Sequence, residues 1–125
     1  MARILYVDDD PAAIATKRAI LERAGHEVIT SDSAERAIEL LQSEDFGAVI
    51  TDWRLGGQRG KAIVEAAKLV STAPVVVVSG YVAEAFSAGE PTPDLYLQKP
   101  VNPEELVQVL EILLYGREHA DPNVE

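Results

Sequence analysis

The chain has 125 residues, 47% hydrophobic and 26% charged, which suits one globular domain with a core of its own and leaves little room for two. It contains no cysteine, so disulfide frameworks, thiolate metal sites and cysteine nucleophiles are excluded. Eleven Lys+Arg against 21 Asp+Glu give a net charge of −10, which opposes general binding to nucleic acid or anionic membranes.

The first apolar run, residues 4–7, follows Met1-Ala2-Arg3 directly, without a signal-peptide layout, and the cytoplasm is the expected compartment. Asp8-Asp9-Asp10 come next. Asp10-Pro11 offers an N-cap carboxylate and a first-turn proline for a helix over about residues 11–24, which Gly25 ends. Its apolar positions Ile14, Ile20, Leu21 and Ala24 are interrupted by Lys17 and Arg18. Residues 28–30 read as a second strand. Ser31-Asp32-Ser33 then caps a helix in which Ala34, Ala37, Ile38 and Leu41 repeat at i, i+3, i+4, i+7. The third strand, residues 48–51, runs into Asp52. Ile63, Ala66, Ala67 and Val70 mark the next helix, and residues 75–78 form a fourth strand ending at Ser79-Gly80.

Residues 82–88 suit only a short helix, because the prolines of Gly89-Glu90-Pro91-Thr92-Pro93 reject the α conformation and remove backbone donors. A fifth strand at residues 95–97 leads into Gln98-Lys99-Pro100. Asn102-Pro103-Glu104-Glu105 caps a last helix carrying Leu106, Val109, Leu110 and Leu113. The expected organisation is a domain over residues 1–115 and a polar, fraying tail over 116–125. No apolar run approaches the roughly 20 residues that span a bilayer.

Strict alternation of strand and helix predicts an α/β fold: a doubly wound parallel sheet with helices on both faces. Ligands of such sheets bind at the carboxyl ends of the strands. Four of the five strands deliver a carboxylate, hydroxyl or ammonium to that edge: Asp8 and Asp9, Asp52, Ser79, and Lys99. Neighbouring strands are about 4.8 Å apart, so these groups can share one small site. Three carboxylates against one ammonium repel unless a cation joins them. Hard carboxylate oxygens suit Mg²⁺, whose remaining positions a phosphate completes. Phosphoryl transfer needs such positioning and charge neutralisation, and a carboxylate such as Asp52 can itself be the nucleophile.

Four segments in order, Ile4-Leu5-Tyr6-Val7-Asp8-Asp9-Asp10-Pro11, Ala48-Val49-Ile50-Thr51-Asp52, Val76-Val77-Val78-Ser79-Gly80-Tyr81 and Tyr96-Leu97-Gln98-Lys99-Pro100, resemble the receiver domain of two-component response regulators. The resemblance implies a flavodoxin-like five-stranded sheet of order 2-1-3-4-5. It implies that Asp52 accepts a phosphoryl group from a histidine kinase or histidine phosphotransfer protein. Asp8, Asp9 and Asp52, with the backbone carbonyl of Arg54, would hold Mg²⁺. Ser79 matches the switch hydroxyl, Lys99 the lysine that meets phosphoryl oxygen, and Tyr96 the aromatic rotamer switch. The bond into Pro100 is expected to be cis. Arg54 and Tyr81 stand where side chains tune the lifetime of the phosphorylated state. The downstream effector has no signature in the sequence.

The chain departs from that pattern in three places. Gly56 replaces a usual proline and Arg59 a usual acid, while Gly60 keeps its place. Gly80 stands where alanine is common, and Pro91-Thr92-Pro93 displaces the second half of the fourth helix. Taken singly, each residue has a plainer reading: Asp8, Asp9 and Asp10 as helix caps, Asp52 as a loop acid, Lys99 as a solvated lysine, Ser79-Gly80 as a turn. Tyr96 reads equally as a half-buried strand aromatic. Trp53 reads as a rim residue, and His26 and His119 as surface histidines. Two other functions compete. A haloacid-dehalogenase-like phosphatase also uses an Asp nucleophile, Mg²⁺ and a lysine, but wants a second acid where Arg54 stands. A degenerate receiver would serve only as an interaction module. A flavin site lacks a Ser/Thr/Gly-rich phosphate loop.

Overall fold

The computed structural model describes residues 2–55 and 60–118. The readings made for Gly56, Arg59, His119 and the end of the tail lie outside the described residues. In chain order the elements are β1 (Arg3–Val7), α1 (Pro11–Arg23), β2 (Glu27–Ser31), α2 (Ala34–Ser43), β3 (Ala48–Asp52), α3 (Gly60–Val70), β4 (Val75–Ser79), α4 (Val82–Ser87), β5 (Leu95–Gln98) and α5 (Pro103–Glu118). The five strands form one sheet of order β2-β1-β3-β4-β5, every pairing parallel. The chain leaves β1 for β2 on one side and returns to β3 on the other. The strand order therefore reverses between β1 and β3, opening the crevice where doubly wound sheets bind ligands.

Two cores cover the two faces, and the two-residue alternation of the strands assigns each side chain to one of them. Leu5, Val7, Val49, Val75 and Val77 pack with α2, α3 and Ala85 of α4. Ile4, Tyr6, Ile50, Val76, Val78 and Leu97 pack with Leu21 of α1 and with Leu106 and Leu110 of α5. Leu5, Ile50, Ile63 and Leu110 are completely buried, and each such side chain stabilises the fold by roughly 2 kcal/mol. β3 and β4 are buried along their whole length, as central parallel strands with both faces covered should be.

The helix starts follow their caps. Asp10 Oδ1 accepts from the amide of Ala12 at 3.0 Å, Ser33 Oγ from Arg36 at 3.2 Å, and Asn102 Oδ1 from Glu104 at 2.8 Å. Gly25, at φ +98, turns the chain after α1 as a glycine there should. α4 is short, as expected, and Gly89 at φ +80 leads it into the proline segment. The peptide bonds into Pro91 and Pro100 are both cis. The truncated helix is strapped from below: Lys61 Nζ of α3 donates to the carbonyls of Ala88 at 2.6 Å and Glu90 at 3.4 Å.

Three details differ from the sequence reading. α5 continues through Glu118 and takes in Gly116, because extending a formed helix costs little and one glycine about 1 kcal/mol at most. His26 is no surface residue. It is 7% exposed, its Nδ1 accepts from the amide of Ala2 at 3.0 Å, and its Nε2 is buried without a partner among the described residues. Trp53 is a core residue at 3% exposure, packed on the α2–α3 side.

Candidate functional site

Alternation along the strands continues one residue past their ends and decides which groups converge. Asp8 follows Ile4 and Tyr6 in parity, Asp52 follows Ala48 and Ile50, and Lys99 follows Leu95 and Leu97. All three therefore belong to the α1–α5 face. They line one pocket of about 440 Å³ with Asp9, Asp10 and Tyr6, flanked by Ala13 and Lys17 of α1 and by Pro100 and Val101.

Asp8, Asp9 and Asp52 each offer a carboxylate oxygen within 4.8 Å of the others. Asp8 and Asp52 are buried, at 5% and 7% exposure, and Asp9 is exposed. The donor set fits a hard divalent ion: around Mg²⁺, ligand oxygens at about 2.05 Å stand about 2.9 Å apart when adjacent and about 4.1 Å when opposite. The three oxygens, within 4.8 Å of one another, lie near that range.

The acids are held by the backbone and by one ammonium. Asp8 Oδ1 accepts from the amide of Asp10 at 3.0 Å, and Asp52 Oδ1 from the amide of Arg54 at 3.3 Å. Lys99 Nζ lies 2.8 Å from Asp52 Oδ2. Burial pushes the Asp8 carboxyl above its ordinary range. The Asp10 amide opposes this, the neighbouring Asp52 and Asp9 charges add to it, and Lys99 opposes it. For Lys99, burial works to lower the ammonium. Its hydrogen bond to Asp52 and the charges of Asp52, Asp8 and Asp9 outweigh that, leaving it above its usual value. Beneath them, burial first and then the Asp8 and Asp52 charges hold the Tyr6 phenol neutral, far above its usual range.

Ser79 and Tyr96 stand elsewhere. They share parity with Val75 and Val77, on the face that α4 covers, and Tyr96 pairs with Val77 in register. Ser79 Oγ, 1% exposed, accepts from the amide of Tyr81 at 2.9 Å and does not line the acidic pocket. Tyr96 is half-buried with its ring edge-on to Phe86, centroids 5.8 Å apart. Arg54 joins the two sides. Its guanidinium lies 4.7 Å above the Tyr81 ring and 2.5 Å from Glu84 of α4. A guanidinium so engaged is the opposite of the second acid that a haloacid-dehalogenase-like phosphatase wants at that position.

The loop after Asp52 returns to α3 at Gly60. A Cβ there would lie 2.6 Å from the carbonyl oxygen of Asp52 and 2.7 Å from Trp53 Cα, so only glycine lets α3 start this close to the site. Sequence reasoning missed Tyr6 and Lys17 as pocket residues. Their signal was spacing: Tyr6 stands two residues before Asp8 on a strand, and Lys17 one helical turn after Ala13 and two after Asp10.

Comparison with known proteins gives a consistent assignment. Residues 4–111 match the family described as response regulator receiver domain. The two-component response regulator PprB of Pseudomonas aeruginosa is 33% identical over 120 residues, covering 88% of this chain and 42% of that protein. The sensor protein GacS of Pseudomonas syringae pv. syringae is 30% identical over 116 residues, covering 86% of this chain and 13% of that protein. The chain thus spans less than half the length of these relatives. Among solved structures, a CheY-like response regulator receiver domain protein of Methanospirillum hungatei JF-1 superposes with a TM-score of 0.84 at 29% identity, covering 97% of this chain and 99% of that one.

Proposed function

The chain belongs to the response regulator receiver domain family of two-component signal transduction, and from that premise we propose that Asp52 is its phosphoacceptor, phosphorylated in a Mg²⁺-dependent reaction. The observation that carries the proposal is the setting of Asp52: buried, 2.8 Å from an ammonium, and within 4.8 Å of two further carboxylates. A buried acceptor bonded to one cation and flanked by acids is a nucleophile whose charge is managed by its neighbours.

Asp8, Asp9 and Asp52, with the backbone carbonyl of Arg54, would hold the ion. Bound there, Mg²⁺ would neutralise the carboxylates and the charge building on the phosphoryl oxygens. An Asp52 carboxylate oxygen attacks phosphorus in line, the bond from phosphorus to the donor's nitrogen breaks, and the electron pair leaves with the imidazole, which takes up a proton. Lys99 then exchanges its carboxylate partner for a phosphoryl oxygen. Ser79 gives up the Tyr81 amide and turns its hydroxyl toward the new dianion. Vacated space beside Ser79 lets Tyr96 change rotamer against Phe86, which alters the α4–β5 surface. The phosphodonor is a histidine kinase or a histidine phosphotransfer protein. The similarity to sequences named both as a regulator and as a sensor suits either source.

The test is chemical. Incubation with a small phosphodonor and Mg²⁺ gives an acid-stable, base-labile adduct that Asp52→Asn lacks and a chelator prevents. A folded wild-type chain that takes up no phosphoryl group under those conditions overturns the proposal and leaves the interaction-module reading in its place.

A further inference from the structure

The two cations that interrupt the apolar pattern of α1 have different surroundings. Arg18 is exposed and pairs with Glu22 one turn on, at 3.3 Å. Lys17 is half-buried and faces the acidic pocket, in one stripe with Asp10 and Ala13. The pocket's other ammonium, Lys99, is already committed to Asp52. Lys17 makes no ion pair or hydrogen bond among the described residues, although four carboxylates line the same pocket.

Volume sets the next constraint. At roughly 30 Å³ per water-sized group, a phosphoryl group, a divalent ion and its waters fill on the order of 200 Å³. The pocket holds about 440 Å³. Ala13, with its small side chain, Lys17, Pro100 and Val101 line the same pocket as the acids. The pocket therefore has room for part of a donor's leaving group, and Lys17 is its cation without a partner among the described residues.

We propose that Lys17 is a specificity-determining residue: its ammonium pairs with an anionic group on the leaving part of the phosphodonor, while Lys99 meets the transferring phosphoryl group. The inference rests on Asp52 as acceptor. The chemistry it selects is a carboxylate near the departing imidazole, whether on a small donor or on an acidic side chain beside a partner's phosphohistidine.

Two donors with the same leaving imidazole separate the claims: phosphoimidazole, which has no carboxylate, and N-acetyl-phosphohistidine, which has one. With Mg²⁺ at low ionic strength, the wild-type chain is expected to react about two- to five-fold faster per unit concentration with the carboxylate donor, the range of one partly exposed ion pair. Lys17→Gln brings that ratio to about one, Lys17→Arg restores part of it, and added salt shrinks it in the wild type. Arg18→Gln, which removes the same charge from the solvent side, keeps the wild-type ratio. A ratio equal in wild type and Lys17→Gln overturns the proposal, even if Lys17→Gln binds Mg²⁺ more tightly, since Lys17 is then only a counter-charge to the acids. A wild-type chain that reacts with neither donor overturns the acceptor assignment of Asp52 as well.

Discussion

Lys99, one residue beyond the end of β5, reaches Asp52 at the end of β3, Nζ to Oδ2 2.8 Å, although β4 lies between their strands in the sheet. Both side chains point to the α1–α5 face, where the end of β4 contributes Val78 and no competing polar group. The ion pair thus bridges the pocket and neutralises one of its acids.

Truncating Lys99 leaves the buried Asp52 carboxylate among like charges. Lys99 is 41% exposed, so solvent already screens the pair, and Lys99→Ala is expected to cost about 1 kcal/mol. Saturating Mg²⁺ should return most of that loss. Urea unfolding in chelator and in Mg²⁺ checks both parts; an equal loss in the two conditions would contradict the proposed ion site.

Asp8 gives the opposite sign. Its charge is unfavourable in the fold, through burial and through Asp52 and Asp9. Asp8→Asn keeps an oxygen for the Asp10 amide and removes the charge, so the metal-free fold should gain on the order of 1 kcal/mol, since unit charges about 4 Å apart interact by that much even in water. The same variant should lose its Mg²⁺ response. Trp53, the single tryptophan, lies buried beside Asp52, and its fluorescence during a Mg²⁺ titration is the readout.

His26 makes stability depend on pH. Burial, then the N-terminal ammonium, lower its pKa below 6.5, with Glu111 opposing. Between the lowered folded value and 6.5 the unfolded chain binds more protons. The His26 contribution is therefore complete above pH 6.5 and is lost as pH falls below it. Protonation would also take the Nδ1 lone pair from the Ala2 amide. The difference in urea midpoint between wild type and His26→Gln should shrink from pH 7.5 to pH 5.5; a constant difference would refute the assignment.

Two glycines separate close packing from open space. Gly60→Ala drives a methyl group into the Asp52 carbonyl at 2.6 Å and should cost about 2 kcal/mol or more, with Asp52 displaced. A Cβ on Gly80 meets nothing within 4 Å, and Gly80→Ala should gain about 0.5 kcal/mol by restricting the unfolded chain. Thermal unfolding of the two variants, side by side, measures both.

Much of this was legible locally. Strand and helix order, the caps at Asp10, Ser33 and Asn102, and the shortened α4 follow from periodicity and proline chemistry, which act over a few residues. Asp8, Asp52, Ser79 and Lys99 were legible because each stands at the last residue of a strand or one beyond it, at the edge where parallel sheets bind ligands. Their roles came from resemblance to a family. The structure gathers Asp8, Asp9, Asp52 and Lys99 around one pocket, and Ser79 and Tyr96 lie one face away.

By itself the sequence determined the element order, and with it a parallel sheet and the edge on which chemistry collects, because hydrophobic period and capping are properties of neighbouring residues. Tertiary packing alone decided that His26 and Trp53 are buried. It also turned Lys17 inward beside an outward Arg18, and held the end of α4 with Lys61. Each of these depends on which distant element arrives opposite a side chain. That is set when two cores close on the sheet at once, and no short stretch of chain encodes it.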